Sequence, residues 1–93
     1  MNVGARPALD VAFVAPRDAT EAELARLWEG VMGVGPLGVD DDFFDLGGES
    51  LHAFALLSRV TAAFGVTLTP RDLFAAGTIA GMAALVAKRA RGD

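Results

Sequence analysis

The 93-residue chain contains no cysteine, which excludes disulfides, a thiolate nucleophile and cysteine-ligated metal. Any thiol chemistry has to be imported. Long hydrophobic runs are also missing, although 53% of the residues are hydrophobic and the mean hydropathy is +0.41. The longest uncharged stretch, 73–87, is broken by Gly77, Thr78 and Gly81 and falls short of the roughly 18 to 20 apolar residues a spanning helix needs. Residues 1–7 have neither the apolar core nor the cleavage pattern of a signal peptide. Together these absences predict a soluble, cytoplasmic protein. Basic charge is scarce as well: eight Lys and Arg against twelve Asp and Glu leave a net charge of -4. Such a surface repels nucleic-acid phosphates and anionic lipid and suits a partner with a basic docking face, so neither nucleic acid nor membrane is expected as a partner. At this length one small core is the ceiling, which leaves little apolar surface for a substrate cleft.

What remains is helical. Residues 1–17, with Gly4, Pro7 and Pro16 and no sustained period, read as a flexible leader or linker, and the folded domain is expected over 18–90. Thr20 to Glu23 has the form of a capping box and precedes Leu24, Leu27, Trp28, Val31 and Met32 at helical spacing, ending near Gly33. A second helix is predicted from Ser50 to Phe64 with Gly65 as its stop. Its core face holds Ala53, Leu56, Leu57, Val60 and Phe64, and Leu51, Ala55, Ser58, Arg59 and Ala62 lie opposite, with Phe54 at the boundary. Thr69-Pro70-Arg71-Asp72 starts a short helix, and Thr78 caps a last one carrying Ile79, Met82, Leu85 and Val86. The predicted fold is all-α: three longer helices and one short one, with a long ordered loop between the first two. In that loop Leu37, Val39, Phe43, Phe44 and Leu46 are apolar enough to pin it to the helices.

The most informative stretch closes the loop, Asp41-Asp42-Phe43-Phe44-Asp45-Leu46-Gly47-Gly48-Glu49-Ser50-Leu51. Two glycines let the backbone turn, and Ser50 arrives where free amides and the positive dipole end favour an anionic group such as a phosphodiester. By local physics alone Ser50 reads as an ordinary N-cap. Ser50 and His52 do not make a catalytic pair, because residues two apart on a helix point in different directions and the second glycine of a nucleophile elbow is missing. The acidic run has Phe44 where an EF-hand needs a ligand and lacks that loop's glycine, so its acids read as solvated and no metal site is expected. Trp28 reads as core packing.

Phe43-Phe44-Asp45-Leu46-Gly47-Gly48-x-Ser50-Leu51 resembles the carrier (thiolation) domain signature of nonribosomal peptide synthetases. Val14-Ala15-Pro16-Arg17, Asp72-Leu73-Phe74 and the run from Thr78 to Ala83 extend the resemblance over about residues 14 to 87. It implies a four-helix carrier fold with no catalytic activity of its own. Ser50 would carry a 4'-phosphopantetheine arm derived from coenzyme A, flanked by Gly48, Glu49 and Leu51, and the arm's thiol would hold aminoacyl or peptidyl groups as thioesters. The implied partners are a phosphopantetheinyl transferase, an adenylation enzyme or domain, and condensation, thioesterase or tailoring enzymes, meeting a monomeric carrier.

Exposed apolar groups beside such a site often mark an interface, so Leu51 and Phe54, with Ser58 and Arg59, are the candidate docking residues. Glu49 departs from the His or Asp usual before the serine, and His52 from an aliphatic residue; His52 is expected near the solvent boundary. No Asp or Glu occurs between Ser50 and Arg71, whereas fatty-acid carriers typically have an acidic second helix. The alternatives are an acyl carrier of a polyketide or hybrid pathway and a helical interaction module without a prosthetic group. Met1 and the basic Lys88-Arg89-Ala90-Arg91 suggest a freestanding carrier.

Overall fold

Asp18, not Thr20, caps the first helix. In the computed structural model, which describes residues 4–5 and 11–92, α1 spans Ala19–Met32 and the Asp18 carboxylate accepts the Glu21 amide at 2.8 Å. The expected box at Thr20 is displaced by two residues for two reasons. Asp caps at least as well as Thr, and the Glu21 carboxylate in the first turn accepts from both the backbone amide and the guanidinium of Arg17, at 2.8, 3.0 and 2.6 Å. Glu23, free of the box, pairs with Arg26.

The other helices start where their capping residues place them. Helix α2 spans Ser50–Phe64, α3 Pro70–Ala76 and α4 Ile79–Ala90. Thr69 accepts the Asp72 amide while Asp72 Oδ2 accepts the Thr69 amide, the reciprocal pair that nucleates a seven-residue helix. Thr78 accepts the Gly81 amide at 3.0 Å and opens α4. Helix α1 packs on α2 and α4, and α3 lies against both α2 and α4.

One core joins all four helices and the long loop. Leu24 and Trp28 of α1, Leu56 and Val60 of α2, Leu73 of α3, and Ile79 and Met82 of α4 are almost wholly buried. Each large apolar side chain buried in this way contributes about 1.5–3 kcal/mol. Trp28 is packing, as expected; it meets Phe43 edge to face at 5.6 Å. Phe64, placed on the core face of α2, is only half-buried.

The segment between α1 and α2 is pinned by Leu37, Val39, Phe43 and Leu46, all buried, while Phe44 stays outside the core. Backbone ties complete the fastening. The Phe43 amide donates to the Gly77 carbonyl at 2.8 Å, the Ala80 amide to Val39 at 2.9 Å, and Asp42 bridges Thr78. Asp41 corrects the reading of the acidic run as wholly solvated: it is fully buried, and its Oδ2 accepts the Gly38 amide at 2.8 Å.

Beyond the helices, β1 (Gly4–Ala5) pairs in parallel with β2 (Val34–Gly35), Gly4 opposite Val34. Most of residues 1–10, the first part of the expected leader, lie outside the described residues. Within its remainder Val14 packs against the core and its carbonyl accepts the Val39 amide at 2.8 Å.

Candidate attachment site

A succession of tight turns delivers Ser50 to the surface. Asp42 Oδ2 accepts the Phe44 and Asp45 amides at 2.9 and 3.1 Å, and the Gly48 amide returns to the Phe43 carbonyl at 3.0 Å. Gly47 then turns the chain with φ +90°, a conformation L side chains rarely adopt. Gly48 answers a different need: it lies flat against the Phe43 ring, where a β-carbon has no room. Glu49 follows in extended conformation as the N-cap, and Ser50 is the first helical residue. Ser50 is therefore not the cap.

The Ser50 side chain is exposed, and among the described residues its hydroxyl makes no hydrogen bond. The first turn of α2 carries no acidic residue, so the unpaired amides and positive dipole end of a 15-residue helix act on this position without an opposing side chain inside the turn. A phosphodiester on Ser50 meets no packed wall, and the acid beside it is Glu49 at the N-cap, whose side chain faces the His52 amide in a capping box. His52, read as a boundary residue, is half-buried, and its Nδ1 accepts the Glu49 amide at 3.3 Å.

The candidate docking residues separate into two groups. Leu51, Phe54 and Ser58 share one outward side of α2 at helical spacing, with Leu51 80% and Phe54 61% exposed. Arg59 is exposed too, but its Nη1 lies against α1, 3.1 Å from where a β-carbon of Gly30 would stand. Sequence reasoning missed a further exposed pair, Phe44 and Phe74, whose rings sit 5.4 Å apart at 37°. The available signal was the run Asp72-Leu73-Phe74-Ala75, in which only Leu73 is buried in the core.

Besides the Arg26–Glu23 pair, two ion pairs with more shielded carboxylates shape the electrostatics. The Arg17 guanidinium holds the Glu21 carboxyl below the usual carboxylate range, helped by the Arg17 amide. Arg89 does the same for Asp72, with the Thr69 amide in support, and this pair ties α3 to α4.

An all-α bundle that offers a bare serine at a helix start, after a Gly-Gly turn packed on a buried phenylalanine, defines a carrier-type domain. Residues 22–86 match the family described as "Phosphopantetheine attachment site". The chain belongs to that family, whose members bear phosphopantetheine covalently, and this sets aside a helical interaction module without a prosthetic group.

Among curated proteins, tyrocidine synthase 3 of Brevibacillus parabrevis is 49% identical over 80 residues, 86% of this chain and 1% of that protein. Tyrocidine synthase 2 of the same organism is 41% identical over 81 residues, 87% of this chain and 2% of that protein. The chain thus spans a small fraction of the curated relatives it matches.

Among solved structures, an active-site mutant peptidyl carrier protein superposes with a TM-score of 0.83 at 40% identity, covering 90% of this chain and 93% of that one. A peptidyl carrier domain described as a prototype for those of modular peptide synthetases gives 0.73 at 44% identity, covering 81% and 99%. A chain from the complex of the phosphopantetheine transferase Sfp, coenzyme A and a peptidyl carrier protein gives 0.80 at 42%, covering 82% and 99%. Carrier domains of this kind are in general modified by partner enzymes and do not themselves catalyse.

Proposed function

We propose that Ser50 is the attachment residue and that the chain, over 18–90, serves as a peptidyl carrier in nonribosomal peptide assembly. The observation that carries this reading is the exposed, unbonded hydroxyl of Ser50 at the first position of α2, fixed by the Gly47-Gly48 turn. In the modification step the Ser50 oxygen forms a bond to the phosphorus of coenzyme A that bears the pantetheine. The bond to the nucleotide phosphate breaks, the nucleotide leaves, and the hydroxyl proton passes to the transferase. Once attached, the arm supplies a thiol that this cysteine-free chain lacks, and an aminoacyl or peptidyl group is held there as a thioester.

The chain's own residues present the site. Gly48 packs it, Glu49 ends the extended segment, and Leu51 stands beside it on the surface. Leu51, Phe54, Ser58 and Arg59 offer the docking face for the transferase, an adenylation partner, and condensation, thioesterase or tailoring enzymes. The likeness to peptidyl carriers of modular peptide synthetases favours the peptide over the polyketide pathway. A monomeric, cytoplasmic carrier is part of the same proposal; separately, no helix among the described residues is long and apolar enough to cross a membrane.

The test is the intact mass after incubation with coenzyme A, magnesium and a broad-specificity phosphopantetheinyl transferase, beside a Ser50→Ala variant. One phosphopantetheine on the wild type and none on the folded variant is the expected result. A modified variant, or wild type left bare by several transferases, overturns it.

A further inference from the structure

Helix α2 begins with an unusual cap. Glu49 is the N-cap, Ser50 the first helical residue and His52 the third, and Nδ1 of His52 accepts the Glu49 backbone amide at 3.3 Å. That is the place where a capping box ordinarily sets Glu or Gln, whose side chain reaches back to the N-cap amide. Among the described residues the Glu49 amide has no other acceptor. The first turn holds no acid that could take over, and Ser50 itself does not act as the cap. The imidazole therefore closes the backbone loop that contains Ser50: Glu49 on one side, His52 on the other, with Leu51 exposed between them.

We propose that His52 is a positioning residue for modification of Ser50, holding the first turn of α2 in helical form so that the hydroxyl is presented ready-ordered. This rests on Ser50 being the attachment residue. His52 touches neither the hydroxyl nor, by this assignment, the transferase; it acts through the Glu49 amide. Without it the turn frays, and docking has to reorder the backbone before transfer, which weakens recognition more than turnover.

The test compares wild type, His52→Ala and His52→Gln by amide hydrogen exchange of the unmodified protein and by steady-state transfer from coenzyme A. In His52→Ala the Glu49 amide is expected to exchange roughly fivefold faster, the loss typical of one cap. KM for the carrier rises severalfold with kcat kept, and His52→Gln restores both. Unchanged exchange at Glu49 in His52→Ala overturns the proposal, whatever the kinetics; with a raised KM it would assign the ring to direct docking. Failure of His52→Gln to rescue overturns it equally. Wild type that accepts no arm would sink the Ser50 assignment instead, a result read independently of the exchange rates.

Discussion

A β-carbon built on Gly48 would stand no more than 2.6 Å from Cε2, Cδ2 and Cζ of Phe43. The phenylalanine is wholly buried and braced by Trp28 and Phe44, so the ring has no room to retreat. The turn that carries Ser50 is thereby seated on the core through a contact only glycine permits.

Gly48→Ala is therefore expected to destabilise the fold by about 3 kcal/mol or more, at or above the upper end of the range for overpacking. Gly47→Ala meets open space and costs only the strain of its positive φ, about 1–2 kcal/mol. Trp28 is the sole tryptophan in a chain without tyrosine, and it is buried, so its emission in a denaturant titration reports both values. Equal or reversed costs would show that the Phe43 contact does not decide the position.

Leu51→Ala and Phe54→Ala remove side chains that are mostly in solvent, so stability should stay within about 0.5 kcal/mol. Transfer and loading rates should fall severalfold, and more in the double variant. Arg59→Glu should act in the same direction through charge. Kinetics equal to wild type, measured with the transferase and an adenylation partner, would remove these residues from the docking face.

Asp18 and Thr20 compete for the same role in sequence, and a pair of variants separates them. Asp18→Ala should cost about 1 kcal/mol, the usual worth of an N-cap, and Thr20→Ala should change stability by less than about 0.5 kcal/mol. Thermal unfolding of the two variants side by side decides it.

The fold should weaken in acid in a way traceable to Glu21 and Asp72. Both carboxyls titrate below their unfolded values in the folded state, because Arg17 and Arg89 bond to the charged forms. Their stabilisation is complete above the unfolded values, roughly 4.3 for Glu and 3.9 for Asp. It is lost progressively as pH falls through them toward the folded ones. Asp72→Asn keeps an acceptor for the Thr69 amide but removes the titration, so its stability should fall less steeply between about pH 5 and pH 2. A slope identical to wild type would rule out Asp72 as a contributor. Both arginines are partly exposed, so added salt should shrink the effect.

Much of this architecture was legible in the residues. Thr69 and Thr78 announced two helix starts because each is a capping residue with a local amide in reach, and the periodicity of Ala53, Leu56, Leu57 and Val60 placed the core face of α2 correctly. Three consecutive aspartates could not reveal which one turns inward. Asp41 does so because Gly38, brought close by the folded loop, offers an unpaired amide. The start of α1 was ambiguous because two capping residues lie two apart, and the Arg17–Glu21 bonds decide between them. His52 was not legible as a cap because a capping box calls for Glu or Gln at that position, three residues after Glu49. The pairing of Gly4 with Val34 and of Val14 with Val39 joins residues far apart in sequence and has no periodic signature.

The fastening of the loop to Gly77, Thr78 and Ala80 has a consequence for transport. Val39, Asp42 and Phe43 are tied to the start of α4, and Gly48 is seated on Phe43, so the turn ahead of Ser50 is fastened to the bundle through that phenylalanine. On the proposed function, a serine held to the bundle in this way leaves the distance between partner sites to be covered by the arm's own reach or by travel of the domain as a whole.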